Sequence, residues 1–153
     1  MPLTWTRSKL SSPPADALPI VQVPRNILKA HPHIDICADI FFVNQNQFFH
    51  TISKVIKLRT VASIPGKSAP LATLYEHLIR VARIYDARGF QVRTIFTDGQ
   101  FVGLREPLLP LTLNVTAANE HVPEIERSIQ TVKQRNRSSI HGLPFKRYPR
   151  ALL

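Results

Sequence analysis

A chain of 153 residues has room for one domain of ordinary size, because at this length roughly two thirds of the unfolded surface can be buried around a single core. Its 44% apolar and 20% charged residues exclude the low-hydrophobicity, high-charge range in which chains stay unfolded, and no apolar run approaches the roughly 20 residues of a membrane span. Twenty Lys and Arg against ten Asp and Glu leave a formal charge of +10, which draws the surface toward polyanions such as nucleic acid or acidic lipid.

Residues 1–33 hold Pro13, Pro14, Pro19, Pro24 and Pro32. Proline removes backbone donors, so this stretch is expected to be a Pro-rich lead-in or linker without regular helix or central strand. Ile34 to Val43 is β-branched and aromatic and too apolar on both faces for an edge, so it predicts a central strand. Within it Cys37, the one cysteine, excludes an internal disulfide and a cysteine-based zinc module, and points to a reducing, intracellular setting.

The polar run Asn44 to Gln47 predicts a turn, and Phe48 to Ile52 resumes the strand pattern to close a hairpin. A third strand is expected around Ile56 to Ile64. After Pro65-Gly66, Ser68 is placed to cap a helix whose apolar positions Leu71, Leu74, Leu78, Val81 and Tyr85 repeat at helical spacing, with Gly89 as its C-cap. Gln91 to Thr97 predicts a fourth strand and Leu111 to Thr116 a fifth, with a short helix between them over Gln100 to Leu109. Pro123 opens a last long helix, where its missing N–H costs nothing, with Val122, Ile125, Ile129 and Val132 as the apolar stripe. A meander of strands followed by alternating elements predicts an α/β fold, a mixed five-stranded sheet flanked by helices in the ribonuclease-H-like order, over residues 34–142. Residues 143–153 are expected to form a basic C-terminal tail.

With only ten acids in a basic chain, their positions carry information. Asp35 and Asp39 lie inside the apolar first strand, and Asp98 ends the fourth. An unpaired carboxylate in a core costs several kcal/mol, so such a group binds a cation, pairs with a base or meets solvent. Strand alternation puts Asp35 and Asp39 on one face and does not choose between them. Asp39, nearer the middle of the apolar stretch, is the harder to explain structurally. On the last helix Glu126 falls at the edge of the apolar stripe, where it can look at the sheet, although a first-turn acid is also favoured by the helix dipole, as is Glu124. Three carboxylates from a central strand, a neighbouring strand end and a facing helix would hold two Mg²⁺ (or Mn²⁺) ions suited to phosphodiester chemistry.

The segments Ala38–Asn44, Phe48–Ser53, Thr97–Phe101 and Glu120–Arg127 together resemble the integrase catalytic core of retrotransposon polyproteins of the copia-like kind. The resemblance runs from about Ile34 onward and takes in Thr131–Arg135 and Leu143–Lys146. It implies Asp39, Asp98 and Glu126 as catalytic and metal-binding residues, with Glu124 as the fallback. It also implies 3′-end processing and strand transfer on DNA, action as a multimer and a nuclear site of work. Twenty-seven residues lie between Asp98 and Glu126, a shorter interval than retroviral members have. Arg127, Lys133, Arg135 and Arg137 are candidates for contact with DNA phosphates, and equally suit a solvated helix face. Two other readings are open. A ribonuclease H of the same fold would use Glu76 on the first long helix, and a catalytically inactive remnant of a transposable element would bind DNA without cutting it.

Overall fold

The structure, a computed structural model, describes residues 22–116 and 123–142. Its elements follow the order read from the sequence. A short helix α1 (Arg25–Ala30) leads into strands β1 (His33–Val43), β2 (Asn46–Ser53) and β3 (Arg59–Ile64). Helix α2 (Leu71–Asp86), strand β4 (Gln91–Thr97), a 3-10 helix (Gly99–Leu104), strand β5 (Thr112–Val115) and helix α3 (Pro123–His141) complete the chain. The strands form one sheet in the order β3-β2-β1-β4-β5. β2 runs antiparallel to β1 and β3, whereas β4 runs parallel to β1 and β5. This is the mixed five-stranded, ribonuclease-H-like α/β arrangement, with the apolar β1 at its centre.

The centre position of β1 follows from its having two faces to bury. Ile34, Ile36 and Ala38 pack with Phe49, Leu74, Leu78, Val81, Tyr85 and Ile95 on the face covered by α2. On the other face Cys37 and Ile52 meet Ile125 of α3, with Phe96 and Ile129 against them. A shift in the β1–β4 register between Ile34 and Asp35 makes Val92 and Ile95 both face α2, although they are three residues apart. Without that bulge strict alternation would turn one of them to the opposite face.

Several boundaries differ from expectation for local reasons. The lead-in holds α1, bracketed by Pro24 and Pro32: Pro24 caps it, and no proline interrupts it. The hairpin between β1 and β2 closes on two residues, Asn44 and Gln45, at φ 48° and 67°, the paired left-handed conformation that matches strand twist. β3 starts at Arg59 because residues 54–56 turn and Lys57 takes φ 57°. Ser68 does not cap α2. The cap position belongs to Pro70, which makes no side-chain hydrogen bond. α2 ends at Asp86, and Gly89 at φ +84° lets the Phe90 N–H return to the Tyr85 carbonyl. Between β4 and β5 the helical segment is the 3-10 turn that begins at Gly99, shorter than expected.

Among the described residues no helix is long and apolar enough to cross a membrane. Val122, Glu120, His121, most of the lead-in and the basic tail lie outside the described residues.

Candidate active site

Asp39 lies on the α3-facing side of β1, in register with His50 of β2. The parallel ladder between β1 and β4 ends at Cys37 and Phe96. Two residues further along the same register, Asp39 stands beside Asp98, on strands about 4.8 Å apart. Both acids line one open cleft of about 430 Å³, together with Phe42, Gln47, Lys67 and Gln100. The structure therefore brings together the first two acids singled out from the sequence.

Each of the two is held by backbone donors. Asp39 Oδ1 accepts the Ile40 N–H at 2.7 Å. Asp98 starts the 3-10 helix, with Oδ1 accepting the Gln100 N–H at 3.3 Å and Oδ2 accepting from Gln100 Nε2 at 3.1 Å. Asp39 is half-buried and Asp98 exposed, so the cleft is open to a ligand carrying its own charge. Asp35, half-buried, does not line this cleft, and its Oδ1 is buried without a hydrogen-bond partner.

Glu126 sits on α3 and is exposed. Ile125 and Ser128 mark the buried face of that helix. Ser128 faces β2 and β3, where its Oγ lies 2.8 Å from both His50 Nε2 and Arg59 Nε. Lys133 lies seven residues beyond Glu126, hence on the same flank, and its ammonium stands 5.7 Å from the Phe41 ring of β1. Glu126 shares the flank of Lys133, and the charge of Glu124, half-buried, also acts on β1 through Cys37. Neither glutamate is among the residues lining the Asp39–Asp98 cleft. Among the described residues no group of three or more His, Cys, Asp or Glu is close enough to hold a metal ion. The donor chemistry of the cleft, two adjacent carboxylates open to solvent, does suit a hard divalent cation such as Mg²⁺ or Mn²⁺. Here the assembled donor set is that pair.

The contact holding α3 to the sheet was not foreseen, since His50 carried no more than a packing role in the sequence. Its Nδ1 faces the Thr60 carbonyl at 2.9 Å. A carbonyl only accepts, so Nδ1 carries the proton and Nε2 accepts from the Ser128 hydroxyl. Ser128 Oγ in turn accepts the Arg59 Nε–H. Burial lowers the pKa of His50, the nearby Arg59 charge adds to this, and only the Thr60 bond opposes it. Cys37 is pushed up to about 11, chiefly by burial and against the pull of Lys54, which leaves an inert thiol between the two strand aspartates.

Arg127, Arg135 and Arg137 are exposed on α3 and Lys133 is half-buried. Lys133 and Arg137 line a second cleft with Phe42, Asn44 and Asn136. Glu76 is exposed on α2 and absent from the residues lining the carboxylate cleft. Lys67, Gln100 and Phe42, which line that cleft, had no motif to reveal them.

No family model matches the sequence, and no curated protein matches it. Solved structures do. The catalytic core domain of BIV integrase superposes with a TM-score of 0.52 at 14% identity, covering 72% of this chain and 74% of that one. A chain of the simian T-cell lymphotropic virus intasome, solved in complex with PP2A regulatory subunit B56 gamma, gives 0.54 at 14% identity. That match covers 80% of this chain and 46% of the other, so the present chain spans under half of the intasome chain's length. At this identity the likeness establishes the fold: it is that of retroviral integrase catalytic cores.

Proposed function

We propose that this chain is the catalytic core of a retroelement integrase of the copia-like kind, acting on DNA in metal-dependent 3′-end processing and strand transfer. The observation that carries the reading is Asp39 and Asp98 lining one open cleft, in a fold that superposes on an integrase catalytic core. In this reading Asp39 and Asp98 hold the divalent ions, with Glu126 as the third ligand and Glu124 as its substitute. Bound Mg²⁺ or Mn²⁺ supplies Lewis-acid charge at the scissile phosphate and eases deprotonation of the attacking oxygen.

The chain's own residues fix the geometry. Gln100 orients the Asp98 carboxylate, and Lys67 at the cleft wall offers a cation to a phosphate oxygen. In end processing, a water oxygen bonds to phosphorus as the P–O3′ bond breaks, and the departing oxygen takes a proton to leave a 3′ hydroxyl. In strand transfer that hydroxyl attacks a target phosphodiester in the same in-line manner. Arg127, Lys133, Arg135 and Arg137 contact DNA phosphates, and the active species is a multimer.

A second reading, a DNA-binding remnant that no longer cuts, is favoured by the position of both glutamates outside the cleft lining. The test is incubation of an end-labelled duplex with Mg²⁺ or Mn²⁺. Shortened strands and longer joined products are expected. Binding with neither product supports the remnant. Cleavage of RNA in an RNA–DNA hybrid, lost in Glu76→Gln, points instead to a ribonuclease H.

A further inference from the structure

Three exposed apolar side chains converge on one groove at the end of the sheet away from the carboxylates. Ile27 of α1 is 36% exposed, and Val55 and Leu58, between β2 and β3, are 52% and 36% exposed. Together they wall a cleft of about 450 Å³ over the buried edge-to-face pair Tyr85 and Phe90. His31 and Arg88 complete its rim, and none of the described residues lining it is an acid. Single exposed apolar side chains are ordinary on protein surfaces, whereas a cluster gathered over a concave floor marks a contact surface. Leu28 holds α1 in place by packing on the core beside Gly89. Ile27, about 100° round the helix, is left turned to the groove.

We infer that this groove docks an acidic segment of another protein, one that brings apolar side chains to the walls and carboxylates to the rim. Charge chooses the occupant. Arg25 and Lys29 stand exposed on α1 to either side of Ile27 in sequence, and Arg88 is exposed at the rim. Asp86, the acid nearest Arg88 in sequence, lines a separate cleft with Arg83 and Arg93. A second copy of this chain fits poorly, since it brings a formal charge of +10 to a basic rim. The chain's own residues 1–21 hold Arg7 and Lys9 against Asp16, so they too bring no acidic run. Nucleic acid has the right charge, but its phosphates find no partner on apolar walls, and a bilayer is too flat to reach a recessed floor. For an acidic segment the apolar anchors supply affinity, and the rim charges steer and select. The groove lies ahead of β1 and β4, beside His31 and Phe90, whereas Asp39 and Asp98 line their cleft toward the far ends of the same strands. A docked segment therefore leaves the carboxylates open, and docking does not depend on the DNA-processing reading.

The test selects short random peptides displayed on phage against the full chain. Enriched peptides are then measured by fluorescence anisotropy with wild type, Val55→Asp, Val55→Leu and Arg88→Gln, each checked by thermal melt. Enriched sequences are expected to combine leucine or phenylalanine with aspartate and glutamate. Val55→Asp should weaken their binding about tenfold, and Val55→Leu should not. Arg88→Gln, which leaves the walls unchanged, should weaken it at low salt and have little effect at high salt. Enrichment of basic peptides, no enrichment at all, or equal binding by wild type and Val55→Asp would overturn the assignment. So would a different occupant, seen as self-association in sedimentation or binding to phosphatidylserine vesicles that Val55→Asp abolishes, or as peptide binding gained only when residues 1–21 are removed.

Discussion

At the scale of single residues, Asp39 and Asp98 are two acids lining one open cleft, each accepting a backbone N–H. Such a pair is costly without a counter-ion and gains most from a divalent one. Asp39→Asn or Asp98→Asn should therefore leave the metal-free protein as stable as wild type or slightly more so in thermal melts, and should abolish the rise in Tm on adding Mg²⁺. The third ligand is settled by comparing Glu126→Gln with Glu124→Gln in the nicking assay. Loss on the former alone is expected, because Glu126 shares the flank of α3 that Lys133 turns toward β1.

His50 gives a second residue-scale expectation. Its pKa is lowered on folding, so the unfolded chain binds a proton more readily than the folded one. The stability that neutral His50 contributes is full above the unfolded value near 6.5 and is lost as pH falls below it toward the folded pKa. Melts at pH 7.5 and 5.5 should show a larger loss in wild type than in His50→Gln. Ser128→Ala strands the His50 Nε2 acceptor and the Arg59 donor, and should cost about 1–3 kcal/mol in chemical denaturation.

At the scale of elements, what the sequence made legible depended on periodicity, and what it hid depended on partners. The apolar run around Cys37 pointed to a central strand because both its faces were apolar, and the helical spacing from Leu74 to Tyr85 marked α2. Asp39 stood out as a charge within that run, and Asp98 as an acid closing a strand. Phe42 could not stand out, because nothing in its sequence places it at the wall of the cleft. Nor could Lys67, whose place is set by the loop leading into α2. The Ser68 cap failed because Pro70, its φ fixed by the ring, occupies the cap position of that helix. The two-residue hairpin turn offers a check on its own backbone: Gln45 is held at φ 67° without being glycine. Gln45→Gly should stabilise the protein by about 1 kcal/mol in denaturant titration.

For the whole molecule, the excess of basic over acidic residues makes any DNA binding strongly salt-dependent, with each phosphate contact adding nearly one to the slope of log affinity against log salt. Lys133→Ala and Arg137→Ala should each lower that slope by about 1. A solvated helix face with no DNA contact would leave it unchanged. The fold contributes by holding two acids of separate strands beside one cleft while α3, pinned through Ser128, carries the basic residues past it. If the chain is an integrase core, the Asp39–Asp98 pair performs the chemistry. The most direct measurement is Mg²⁺- and Mn²⁺-dependent nicking of a labelled DNA duplex by wild type, Asp39→Asn and Asp98→Asn. Activity in wild type and a drop on the order of a thousandfold or more in each variant, equal to several kcal/mol of lost charge stabilisation, is the expected result. Nicking by either variant at the wild-type rate would contradict it.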